Sequence, residues 1–141
     1  MRATEKRRMS DTNIAVVKLL YDAFRRGDID TVLRSVAPNV ELHSGGKKQD
    51  YPRFGPHKGI ADVEEFFRLV SELLDFSDFA PREDFAEKDK VVVLGSYAMT
   101  MRKTGRKVSC DWAHVFTLKR GKVTKFRELT DTAQILEAYR G

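Results

Sequence analysis

The chain has 141 residues, room for one domain with a single core and too few for two. A composition 41% hydrophobic and 33% charged excludes disordered and fibrous classes, and no apolar run reaches the length of a membrane span. The formal charge of +5 is uneven: "MRATEKRR" carries +3 of it, and without an aromatic–basic recognition motif the remainder does not point to nucleic acid.

Residues 1–11 are expected to form a disordered basic leader, and residues 12–141 a single domain. The leader lacks the apolar stretch of a secretory signal. Cys110 is the only cysteine, which excludes an intramolecular disulfide and makes the cytoplasm the expected compartment. It lies in a strand pattern two positions before Trp112 and reads as a buried, inert thiol.

Ser10 and Thr12 offer N-caps to a first helix whose Ile14, Val17, Leu20, Tyr21 and Phe24 recur at helical spacing until Gly27. "DIDTVLRSVAP" predicts a second short helix, stopped before Pro38. "NVELHS" alternates briefly as a short strand with Leu42 at its centre. The segment from Gly45 to Gly59 is rich in Gly, Pro and Lys and reads as a loop, of a length often used for lids or ligand contacts. "IADVEEFFRLVSELLD" clusters Ile60, Val63, Phe66, Phe67, Val70 and Leu74 on one helical face. Four strand-like segments follow, Phe76–Phe85, Val91–Arg102, Lys107–Leu118 and Lys122–Thr130, joined by turns short enough for hairpins. "TDTAQILEAYRG" closes the chain as one or two helical turns. This order predicts an α+β fold: a cone-shaped, strongly curved antiparallel sheet with the three helices of the N-terminal half packed on its concave face. The mouth of such a cone is a natural pocket.

Strand alternation then selects the inward side chains. Val108, Cys110, Trp112, His114 and Phe116 share the more apolar face of their strand, and Tyr97, Met99 and Met101 share a face of the strand before it. Lys125 and Arg127 mark the solvent face of the last strand, which turns Phe126 and Glu128 inward. A carboxylate enclosed there is expected to be driven towards neutrality, as a usable acid or base. Each residue also has a plainer reading. His114 could be a core histidine bonded to a carbonyl, and a bulge or a dimer contact could take Glu128 out. Met99 and Met101 could be simple core, and Asp131 heads "DTAQ", the form of a helix capping box. His43, His57 and His114 do not have the spacing of a metal site, so no metal and no cofactor is expected.

The helices, the long loop and the meander resemble the nuclear-transport-factor-2-like superfamily, and within it the SnoaL-like proteins related to ketosteroid isomerases. "YDAFRRGDIDTVLRSVAPNVEL", "FGPHKGIADVEEFF" and "DWAHVFTLKRGKVTKFRELTDTA" carry the likeness, over residues 12 to 138. It implies a cavity for a small, largely apolar molecule and cofactor-free isomerase, cyclase or epoxide-hydrolase-like chemistry; non-catalytic ligand-binding or dimerisation modules share the fold. In ketosteroid isomerases a cavity acid lies where "WAHVF" places His114, so the resemblance makes His114 the hydrogen-bond donor to an oxyanion. Their general base falls on "ELHSGG", where Ser44 and His43 stand instead of a carboxylate, and their helix-one tyrosine falls near Leu20 and Tyr21. Polyketide cyclases carry an acid/base aspartate late in the last strand, which "RELTD" meets with Glu128 or Asp131. The candidate catalytic residues are therefore His114, Glu128 and Asp131, and the candidate substrate contacts Tyr21, Leu42, Tyr97, Met99, Met101, Trp112 and Phe126. The resemblance further implies a homodimer through the outer sheet face, where Ala113, Val115 and Leu129 point.

Overall fold

The computed structural model describes residues 2–141, and these form four helices and six strands. Helix α1 (Ala3–Arg25) buries Val17, Leu20, Tyr21 and Ala23. It begins well before the expected caps at Ser10 and Thr12. Glu5, Lys6, Arg7 and Arg8 favour helix and no glycine or proline interrupts them, so the expected leader continues α1 as exposed turns. Met1 of that leader lies outside the described residues. Gly27, at φ +70°, ends the run, and the Asp28 carboxylate accepts from the Thr31 N–H to start α2 (Ile29–Arg34).

Strand β1 (Val36–Ser44) contains Pro38, which donates no backbone hydrogen bond, and its pairing is interrupted between Val36 and Glu41. Within the expected loop lies a further strand, β2 (Gly55–Lys58), paired to β1 before α3 (Gly59–Leu73). The meander follows as β3 (Leu74–Glu87), β4 (Lys90–Met101), β5 (Lys107–Lys119) and β6 (Lys122–Leu129), and α4 (Thr132–Arg140) closes the chain.

The spatial order is β2-β1-β6-β5-β4-β3. The α+β class is as expected, but the sheet is mixed, because β1 runs parallel to β6. It is also open, with β2 and β3 at its edges. Helix α1 packs on β3 and β4, α3 on β1 and β2, and α2 sits between them, so the helices cover one face.

Two irregularities aim side chains at that face. In a regular strand, residues three apart point to opposite sides. The register of β3 slips between Phe76 and Asp78, so Phe76 lies opposite Met99 and Phe79 opposite Tyr97, both on the inner face. The register of β6 slips between Val123 and Lys125, which lets Val123 and Phe126 both face inward. A bulge is therefore present near Glu128, but it lies before Phe126 and leaves Glu128 inside.

Candidate functional site

One rung crosses the whole sheet: Gly55, Ser44, Glu128, His114, Val93 and Asp84 lie opposite one another from β2 to β3. Its three middle polar residues are buried, with Ser44 at 0% exposure, His114 at 4% and Glu128 at 5%. His114 Nε2 lies 2.9 Å from Glu128 Oε2, and Ser44 Oγ donates to Glu128 Oε1 at 3.2 Å. Arg53, from the segment before β2, donates from Nη1 to the same Oε1 at 2.8 Å. From α1, the Tyr21 hydroxyl reaches His114 Nδ1 at 2.7 Å.

Burial alone would push the Glu128 carboxyl up. The Arg53 charge and the hydrogen bond from His114 outweigh it and hold the group well below the usual carboxylate range. The expectation of a near-neutral Glu128 is thus overturned, by a cation from a segment without periodicity. Burial pushes the His114 pKa down, further than its bond to Glu128 raises it, so the imidazole is neutral. An ionised carboxylate only accepts, so Nε2 carries the ring proton and Nδ1 accepts from the Tyr21 O–H. Burial, with the Glu128 charge, raises the Tyr21 phenol far above its ordinary value and keeps it protonated. With its one N–H engaged by Glu128, His114 has no donor left for an oxyanion, and its remaining lone pair, on Nδ1, accepts from Tyr21.

Trp112 fixes the plane of this ring, stacking on it with centroids 3.8 Å apart and planes 16° apart. Gly95 of β4 makes that possible, since a Cβ there would meet the indole at 2.4 Å. The Trp112 indole N–H has no partner among the described residues.

In front of the polar cluster lies a cavity of about 100 Å³. Leu20, Tyr21 and Phe24 of α1, Phe66, Phe67 and Val70 of α3, and Phe76 and Phe79 of β3 line its apolar side. Leu42, Tyr97, His114, Phe126 and Glu128 line the sheet side, together with Arg53. The Tyr97 hydroxyl is taken by Thr130 at 2.7 Å. A second, outer groove of about 330 Å³ runs between α1 and β3–β4, and Tyr21 borders both spaces.

The structure thus brings together His114, Glu128, Tyr21, Leu42, Tyr97 and Phe126. Trp112 stands behind His114 rather than at the cavity wall, and Met99 and Met101 are buried in the core away from it. Asp131 is exposed and caps α4, accepting from the Gln134 N–H at 3.0 Å, which is the plainer of its two readings. Sequence reasoning missed Arg53. Its signal was "YPRFGPH", a lone basic residue bracketed by aromatics between turn formers. The loop is anchored rather than loose: Tyr51 and Phe54 are fully buried, Tyr51 packs edge-on against Tyr139 of α4, and a Cβ at Gly46 would strike the Phe54 ring at 2.4 Å. His57 holds the backbone by donating from Nε2 to the Arg53 carbonyl at 3.1 Å.

Among the described residues, no three His, Cys, Asp or Glu side chains gather where a metal ion would be held, and no helix is long and apolar enough to cross a membrane.

Residues 17–126 match the SnoaL-like domain family. Similar solved structures include an NTF2-like protein of unknown function from Burkholderia pseudomallei, at 27% identity and TM-score 0.85, covering 92% of this chain and 98% of that one. An NTF2-like protein from Burkholderia xenovorans is 29% identical at TM-score 0.84, over 92% and 97% of the two chains. TerC, crystallised with polyporic acid, is 30% identical at TM-score 0.82, over 92% and 99%. No curated protein matches the sequence.

Proposed function

The chain belongs to the SnoaL-like domain family, and on that premise we propose that it holds a small, largely apolar molecule in its cavity and moves a proton on it without a cofactor. The observation that carries this reading is the buried relay Tyr21–His114–Glu128–Arg53 ending at a cavity wall. Such a relay is more than packing requires, because each polar member costs free energy to bury. TerC, crystallised with polyporic acid, supports a small organic ligand for this chain too.

The roles follow from the protonation states. Tyr21 swings its O–H from Nδ1 to the carbonyl oxygen of an enolisable ligand. Nδ1 then takes the proton from the adjacent carbon, and the C–H electron pair moves into the enolate. Glu128 stabilises the resulting imidazolium, having already fixed the tautomer that leaves Nδ1 free. Return of the proton to another carbon gives an isomerase; attack of the enolate on a second carbonyl gives a cyclase.

The test is deuterium uptake by 1-phenylpropan-2-one in D2O, followed by NMR. Wild type should exceed buffer, His114→Gln should fall to the buffer rate, and Glu128→Gln should fall between them. Wild type no faster than buffer would leave the family's non-catalytic, ligand-binding role.

We also propose a homodimer through the outer sheet face. Leu94, Ala113 and Leu129 lie on one rung there, and the two leucines are 37% and 45% exposed. Leu129→Arg should halve the mass seen by sedimentation; an unchanged mass would exclude this face.

A further inference from the structure

Arg53 has more donors than its partners use. The guanidinium carries five N–H bonds, and only Nη1 is engaged, by Glu128. Nε and Nη2 are buried without an acceptor among the described residues. The residue is 3% exposed, so bulk water does not reach them, and orphaned donors of this kind are rare enough to require an explanation. The rings of Tyr51 and Phe66 flank the guanidinium at 5.5 and 5.7 Å, and the nearby Tyr51 hydroxyl is likewise buried without a hydrogen-bond partner among the described residues.

The two vacant positions are adjacent. Nε–H and Nη2–H form the side-on fork of the guanidinium, whose parallel donors match two oxygens on one carbon. Arg53 lines the same cavity as His114, and both hold the Glu128 carboxylate, one at each oxygen. The remaining lining is almost wholly apolar and aromatic.

We propose that the Arg53 fork is the polar subsite of the cavity, and that the ligand is a small aromatic acid whose planar pair of oxygens shares one negative charge, as in a carboxylate. This rests on the reading of the cavity as a ligand site and adds the class of molecule. The aromatic body lies among Phe66, Phe79 and Phe126, and the charged end meets Arg53. Lysine at this position would keep a positive charge beside Glu128 but could not present two parallel donors.

Calorimetry on the full chain tests this with benzoate, benzamide and toluene as probes. Benzoate should bind wild type about tenfold or more tighter than either neutral probe, as expected for charge-assisted paired hydrogen bonds. In Arg53→Lys, with folding checked by its melting transition, that preference should vanish while toluene affinity is retained. Equal affinity of wild type for benzoate and toluene overturns the proposal. That comparison stands even if Arg53→Lys fails to fold. Benzoate binding through Arg53 without deuterium uptake by the ketone would sink the catalytic reading and keep the subsite. Uptake by the ketone without benzoate preference would do the reverse.

Discussion

The two walls of the cavity are held by different physics. The helical wall, with Leu20, Phe24, Phe67 and Val70, is stabilised by apolar area, a quantity that changes by degrees. The sheet wall, with His114, Glu128 and Arg53, is stabilised by matched charges and hydrogen bonds, where removing one member strands the rest. Changes to the helical wall are therefore expected to cost by degrees, whereas the sheet wall is kept whole or lost.

The sharpest way to break this contrast is Arg53→Met. It leaves Glu128 as a buried, uncompensated charge and should cost about 3–5 kcal/mol, read by urea denaturation. Adding Glu128→Gln should recover part of the loss; failure to do so would show that Arg53 matters through packing. On the helical wall, Leu20→Ala should cost about 2–3 kcal/mol, the lower part of the usual range, because its side chain already borders a void. A loss above that of Arg53→Met would reverse the ranking of the walls.

Acid separates the walls without mutation. His114 and His57 have folded pKa values lowered by burial, so the unfolded chain binds their protons first as pH falls below 6.5. Stability should decline from there at up to about 1.4 kcal/mol per pH unit for each histidine. Glu128, whose folded pKa is depressed, contributes stability above 4.5 that is lost progressively below it. A melting temperature flat between pH 7 and 5 would show that neither histidine is held neutral. The smallest effect belongs to Tyr21→Phe, about 1 kcal/mol for one hydrogen bond, since water in the cavity can take its place at Nδ1.

What the sequence disclosed follows the same division. Tyr21, His114, Phe126 and Glu128 were legible because helix and strand periods are local and point each side chain to a known face. Asp131 was legible as a cap for the same reason. Arg53 was not, because the segment between Gly45 and β2 has no period, and its direction is set by burial of Tyr51 and Phe54 against distant elements. The charge state of Glu128 was unreadable for as long as Arg53 was. Phe76 and Phe79 share a face only through a slip in β3 that alternation does not reveal, and the parallel pairing of β1 with β6 joins segments some eighty residues apart, roughly the separation of Ser44 from Glu128.

The rung that joins Ser44, Glu128 and His114 also bears on which register the sheet adopts. Had β6 paired one residue out of register, Arg127 or Leu129 would take the inner place of Glu128, and its carboxylate would turn to solvent. Arg53 would then be a buried cation with no counter-charge, and His114 would lose its tautomer. Hydrophobic pattern alone would penalise that misalignment weakly on a strand that reads "KVTKFREL". The carboxylate penalises it heavily, so this one side chain selects the register in which three strands meet.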